Sequence, residues 1–219
     1  TGLSSLPPVI YYSKQLFSGS VDFKAKRNPM TPNFTKVNGN NTFTTLPVTA
    51  QSPYLLDPDI KYNPAGDLKC FFTVEDNDYW RCIIEQCTED LKEYATNVHK
   101  SSGKKPCLSV DLPWIENDDR TITFKTKRIA SLKKKDNKII RITVPQFNVK
   151  CQPIVPMVDI CEGSTICLNV EIYRWAVINK VGVSLRPVAV QVIELHKQRC
   201  LGRSADEYGF GMREAGSPF

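Results

Sequence analysis

The stretch Ser164–Leu195, STICLNVEIYRWAVINKVGVSLRPVAVQVIEL, constrains the fold more than any other part of the chain. Ile166, Leu168, Val170 and Ile172 alternate with Cys167, Asn169, Glu171 and Tyr173, the period of a strand with one buried face. A short link at Asn179–Gly182 contains a glycine, and the apolar alternation then resumes, so the segment reads as a long β-hairpin. The parity changes along its second strand: Val183 and Leu185 share one phase, Val188, Val190 and Val192 the other. Pro187 falls at the change. A proline cannot donate to a ladder, so a bulge or an edge is expected there. The face away from the core carries Tyr173 and Trp175, with Arg174 between them in sequence. A long bent hairpin with outward aromatics fits a barrel or coiled sheet used as a binding platform.

Upstream, LKCFFTV (residues 68–74) reads as a strand, and Asp76, Asn77 and Asp78 as the cap of a helix. Trp80, Ile83, Ile84, Cys87, Leu91, Tyr94 and Val98 recur at helical spacing, which predicts one core-facing helix over Tyr79–Val98. Lys100 lies in its last turn, and Ser101–Gly103 ends it. Between helix and hairpin, Arg120–Ile129 and Lys138–Phe147 alternate as strands. They are joined by ASLKKKDN, which predicts a second hairpin with a strongly basic tip.

Residues 1–66 are rich in Pro, Asn, Thr and Ser, with turn signals at Pro7–Pro8, Asn28–Pro29, Asn38–Gly39 and Asn63–Pro64. Val9–Tyr12 and Asn41–Val48 are the only short strand candidates in it. The segment reads as an N-terminal arm or a set of irregular strands laid over the main domain, residues 67–199 as the main domain, and residues 200–219 as a glycine-rich C-terminal tail. The expected class is mainly β with one long helix. An OB-like Greek-key barrel accommodates few antiparallel strands, one inserted helix and large basic loops.

Charge bears on function. The chain of 219 residues has a net charge of +6, and the whole excess lies between residues 100 and 150, where 13 basic face 5 acidic side chains. Such a patch suits a polyanion. Candidate phosphate contacts are Lys125, Lys127, Arg128, Lys133, Lys134, Lys135, Lys138 and Arg141. Unpaired bases stack on aromatic planes, and Tyr173 and Trp175 are the candidates, with Arg174 and Arg186 placed to reach phosphate or stack.

The signatures of catalysis and of metal binding are missing. The sequence holds no P-loop, no GxGxxG, no GxSxG and no His-x-x-x-His. Its two histidines are His99 and His196, and none of its eight cysteines forms a CxxC pair, so zinc spacing is absent. No cofactor or metal is expected. Most cysteines read as reduced core residues. No apolar run approaches the roughly 18 residues of a membrane span, and the first residues do not read as a signal peptide; with Thr rather than Met at position 1, the start is expected to be a processed or trimmed end.

The order of helix, basic hairpin and the long hairpin with its Asn-Lys-x-Gly link resembles the single-stranded DNA-binding proteins of large double-stranded DNA viruses. Baculovirus-type and asfarvirus-type replication proteins are the nearest, over roughly Leu68–Leu195. The resemblance implies an OB fold and a non-enzymatic protein that coats single-stranded DNA without much sequence preference. It also implies cooperative coating, with other replication proteins as partners and the host nucleus or a viral replication compartment as location. The aromatics Tyr11, Tyr12, Phe17, Phe23, Phe34 and Phe43 near one end and Tyr208, Phe210 and Phe219 near the other predict self-association through the N-terminal arm or the C-terminal tail, and the reduced cysteines an intracellular protein. Some phage relatives end in an acidic tail with a terminal Phe. Here Phe219 is terminal, but Asp206, Glu207 and Glu214 are set against Arg203 and Arg213. The alternative is a β-rich virion component whose basic hairpin contacts protein or packaged genome.

Overall fold

The structure is a computed structural model that describes residues 31–196. Four strands open it: β1 (Thr35–Val37), β2 (Asn40–Thr44), β3 (Val48–Thr49) and β4 (Gln51–Asp59). After β5 (Asp67–Glu75) comes the helix α1 (Asp78–Ser102). Then follow β6 (Cys107–Leu108), β7 (Trp114–Glu116), β8 (Thr121–Ile129), β9 (Ser131–Lys133), β10 (Ile139–Arg141), β11 (Gln146–Phe147), β12 (Thr165–Val177) and β13 (Lys180–Glu194). All strands except β9 and β10 belong to one sheet, whose main path runs β1-β2-β12-β13-β8-β5-β4. The class is thus mainly β with one helix, as expected.

The helix forms where its caps are. The Asn77 side chain accepts hydrogen bonds from the Tyr79 and Trp80 amides, and Gly103, in the left-handed region at φ 69°, donates its N–H to the His99 carbonyl. One stripe of α1, including Trp80, Ile83, Cys87 and Leu91, is buried. Trp80 closes over two facing phenylalanines: Phe72 of β5 and Phe124 of β8 stack at 5.3 Å between centroids, and Trp80 lies 5.6 and 5.4 Å from them. These three rings centre the core.

The β12–β13 hairpin has the expected bulge. Val170 pairs with Pro187 and Asn169 with Ala189, so Val188 is the extra residue, and this reverses the parity of the valines. The turn is tighter than the sequence suggests. Val177 pairs with Lys180, leaving Ile178 and Asn179 as the two turn residues. Gly182 therefore lies within β13, opposite Trp175. A Cβ there would fall 2.2 Å from the Trp175 ring, so the glycine is the seat on which the indole rests.

Of the two forms expected for the N-terminal segment, residues 34–59 take that of irregular strands: they form β1–β4 and deliver Phe43, Val48, Ala50 and Leu55 to the core. β2, β3 and β4 each bury only one or two residues and β1 none, so alternation marks them weakly. Val9–Tyr12 lies outside the described residues. One expectation is corrected: the basic segment is not a simple hairpin of 120–129 with 138–147. β8 takes β5 as its full-length partner, Thr121 to Ile129 against Glu75 to Asp67, because Ile122 and Phe124 must meet the apolar face of β5. The chain breaks at buried Ala130, and a separate two-stranded ribbon follows, Lys133 opposite Ile139 and Arg141 opposite Ser131. β11 then joins β13 in parallel.

One end of the sheet path, β4, leads back through β3 to β12. β3 pairs with β12 (Val48 with Ile166), β4 pairs with β5, and only Ala50 separates β3 from β4. Its amide donates to the Ser164 carbonyl at 2.8 Å.

Candidate nucleic-acid interface

Register decides which side chains share a face. Residues paired across a ladder point the same way, and neighbours along a strand point oppositely. Leu185 of β13 pairs with Thr126 of β8, and both are fully buried. Ser184 and Arg186 therefore face outward with Lys125 and Lys127. Across β12–β13, Tyr173 is opposite Ser184, Trp175 opposite Gly182, and Glu171 opposite Arg186. Across β8–β5, Lys125 is opposite Phe71 and Lys127 opposite Lys69; Tyr54 of β4 is opposite Lys69 in turn. One outward face thus spans β12, β13, β8, β5 and β4.

Its most defined feature is a stacked pair. The Arg186 guanidinium lies over the Tyr173 ring, 3.0 Å from its centroid. One face of the ring is thus covered by the guanidinium, and both side chains are half-buried. Arginine planes accept bases as aromatic rings do. Trp175, half-buried on Gly182, continues the same row towards the hairpin tip.

The lysines of this face are not equivalent. Lys127 Nζ is 2.9 Å from Asp67, whose side chain is 9% exposed, and Lys69 is ion-paired with Asp59. The ammonium of Lys69 holds the Asp59 carboxyl below the usual carboxylate range. Among the described residues, Lys125 has no such partner, and neither do the basic groups of the ribbon. Lys133, Lys134, Lys135, Lys138 and Arg141 are all exposed on the ribbon, which leaves the sheet at the end of β8 beyond Lys127. The ribbon turn is closed by Lys134 N–H donating to Lys138 O and Asn137 N–H to Lys134 O. It carries five cations past the rim of the outward face.

Two sequence candidates fall elsewhere. Arg174 points to the opposite side of β12, where its guanidinium donates to the Gly39 carbonyl at 2.7 Å and lies 5.7 Å from the Tyr94 ring of α1. It ties the β1–β2 turn to the helix. Arg128, paired with buried Leu68, is on the core-side parity of β8. Sequence reading passed over Tyr54, Lys69 and Phe71. In LKCFFTV the alternation already places Phe72 inward and hence Phe71 outward, whereas Tyr54 follows a bulge at Ser52 (φ 45°) that no pattern announces.

Residues 52–195 match the family described as single-stranded DNA-binding protein, bacteriophage T7. The chain belongs to this family. It is 28% identical over 170 residues to the single-stranded DNA-binding protein of Escherichia phage T7, across 70% of this chain and 72% of that one. The crystal structure of gp2.5, a single-stranded DNA-binding protein encoded by bacteriophage T7, superposes with a TM-score of 0.61 at 24% identity. That match covers 74% of this chain and 97% of the other. The single-stranded DNA-binding protein of bacteriophage Enc34, in complex with single-stranded DNA, gives 0.51 at 8% identity, over 79% and 99% of the two chains. These structural likenesses show the fold. The family match carries the viral single-stranded DNA-binding resemblance read from the sequence; it is to a phage family, and not to the baculovirus or asfarvirus type.

The matched span begins inside β4 and ends just after β13. It contains the whole outward face and the ribbon, and it leaves out β1–β3.

Proposed function

We propose that the chain binds and coats single-stranded DNA during viral DNA replication, by contact alone and without catalysis, with little regard to sequence. The observation that carries this is the shared face: the Arg186–Tyr173 stack and Lys125 point the same way, and the unpaired cations of the ribbon extend from its edge. A polynucleotide needs both, a plane for each base and a cation for each phosphate. We read the fold as an OB-like Greek-key barrel, which the return of the pairing path to β12 through β3 supports. Lys125, Lys127, Lys133, Lys134, Lys135, Lys138 and Arg141 serve phosphate, and Tyr173, Trp175 and Arg186 serve bases.

The test is a salt titration with a fluorescent oligo-dT and with a duplex of the same length. Binding of the single strand with log K falling linearly in log salt, and weaker binding of the duplex, is the expected result. Equal affinity for both would overturn the reading.

Arg186→Lys separates the two jobs. The charge stays, so the salt slope should stay; the plane goes, so affinity should fall by a stacking increment of about 1–3 kcal/mol. Tyr173→Ala should cost a similar amount. Unchanged affinity and slope in Arg186→Lys, with a slope flattened by about 0.7 in Arg186→Ala, would assign Arg186 to phosphate.

Self-association is part of the proposal and falls on residues outside 31–196, where Tyr11, Tyr12, Phe17 and Phe23 precede the sheet and Tyr208, Phe210 and Phe219 follow it. Removing residues 203–219, and separately residues 1–30, should reduce cooperativity on long strands and spare affinity for a one-site oligonucleotide. Unchanged cooperativity in both would remove the ends from assembly. No helix among the described residues is long and apolar enough to cross a membrane. Bacteriophage hosts have no nucleus, so the family supports the viral replication compartment over the nuclear alternative.

A further inference from the structure

Tyr54 and Phe71 have no part in the interface as proposed, yet both lie on its face. Tyr54 is 41% exposed, high for an aromatic residue in a strand, and Phe71 is half-buried opposite Lys125. Between them stands Lys69, its ammonium 4.8 Å from the Tyr54 centroid and 5.8 Å from that of Phe71. Lys69 is a poor phosphate anchor. It is already paired with Asp59, and both side chains are largely covered, 19% and 14% exposed. Giving the ammonium to a phosphate would leave that carboxylate unpaired, which is costly where water is scarce. What the ammonium does in place is brace two rings by cation–π contact, holding them at fixed positions.

We propose that Tyr54 and Phe71, braced by Lys69, form a second stacking subsite for an unpaired nucleobase on β4–β5. The proposal rests on the single-strand reading of the face. It adds a separate place on that face, because Phe71 on β5 lies two strand steps from Arg186 on β13 and Tyr54 on β4 four from Tyr173 on β12, roughly 10–19 Å along the sheet at ~4.8 Å per step. No single base spans that distance. Lys125 lies between the two subsites, opposite Phe71 and two ladders from β12, where a linking phosphate would pass. The hydroxyls beside the rings are occupied: Thr73 Oγ1 bonds Gln51 at 3.1 Å and Thr123 at 2.9 Å. They leave the rings as the free contact surface, so the subsite is selective for a flat base and indifferent to which one.

The experiment measures Tyr54→Ala, Tyr54→Phe and Phe71→Leu against the wild type, on oligo-dT and on an abasic oligonucleotide of equal length. Tyr54→Ala should weaken oligo-dT binding about 5- to 150-fold, the range of one lost stack, with the salt slope unchanged. Phe71→Leu should weaken it in the same sense, and Tyr54→Phe should restore wild-type affinity. On the abasic strand all four proteins should bind alike, since nothing remains to stack. An equal penalty on both strands would mark a structural effect and overturn the subsite. Wild-type affinity in both Tyr54→Ala and Phe71→Leu would do the same, while leaving the single-strand reading intact. Failure of the wild type itself to bind oligo-dT would overturn that reading, and the subsite with it.

Discussion

Replacing Lys133, Lys134 and Lys135 together by Ala should lower affinity for single-stranded DNA about 100-fold at 0.1 M salt. The estimate follows from counterion release: each neutralised phosphate on a single strand contributes ~0.7 to the slope of log K against log salt, hence ~0.7 to log K at 0.1 M. Three lost contacts flatten the slope by about 2. The figure holds only for lysines that are free to begin with. These three are exposed and lack ion partners among the described residues, so a phosphate gains their full charge. Lys127 provides the internal contrast. It must leave Asp67, 2.9 Å away, before it meets a phosphate, so Lys127→Ala should change the slope by less than any ribbon lysine. All sequences should be affected equally, because phosphate contacts carry no base information. Slope and affinity unchanged in the triple variant would remove the ribbon from the interface.

The parts of this fold that the sequence displays are those in which local rules act alone. Asn77 and Gly103 delimit α1 because a cap is a matter of a few neighbouring atoms. The bulge of β13 is visible because Pro187 and a reversed valine parity both mark it. Asn41–Val48 shows as a strand candidate, but its division into β2 and β3, and β4 altogether, are hidden because Phe43, Val48, Ala50 and Leu55 enter the core one at a time, from segments bent between turns. The partner of β8 is hidden for a different reason. Proximity in sequence favours 138–147, but only β5 offers a continuous apolar face to Ile122 and Phe124.

The site divides in the same way. The ribbon lysines are legible as a charge run. Strand alternation alone was enough to separate Arg174 from Tyr173 and Trp175, since adjacent residues of a strand point to opposite faces; its bonds to Gly39 and Tyr94 show what it does there. The Arg186–Tyr173 stack is not legible. It depends on the hairpin register, which a two-residue turn sets and which the glycine at 182 misplaces by suggesting a later turn.

Phe72→Ala should be the most destabilising single substitution in β5, at about 3–5 kcal/mol. Phe72 is fully buried, stacks on Phe124 at 5.3 Å and touches Trp80, whose helix seals the same side of the sheet. The three rings come from β5, β8 and α1, so none can move in to fill the space without dragging its backbone element. A cavity then remains, and the cost exceeds simple transfer. Against a total stability of about 5–15 kcal/mol, that loss is a large fraction of the whole. The neighbouring residue gives the control. Phe71 points outward and is only half-buried, so Phe71→Leu should cost less than about 1 kcal/mol. The two substitutions should therefore trade effects: in urea unfolding Phe72→Ala shifts the midpoint and Phe71→Leu hardly does, while in binding per folded molecule the order reverses. A small urea shift for Phe72→Ala would mean that the inward and outward faces of β5 are assigned the wrong way round, and the face shared by Tyr54, Phe71, Lys125 and Arg186 would fall with them.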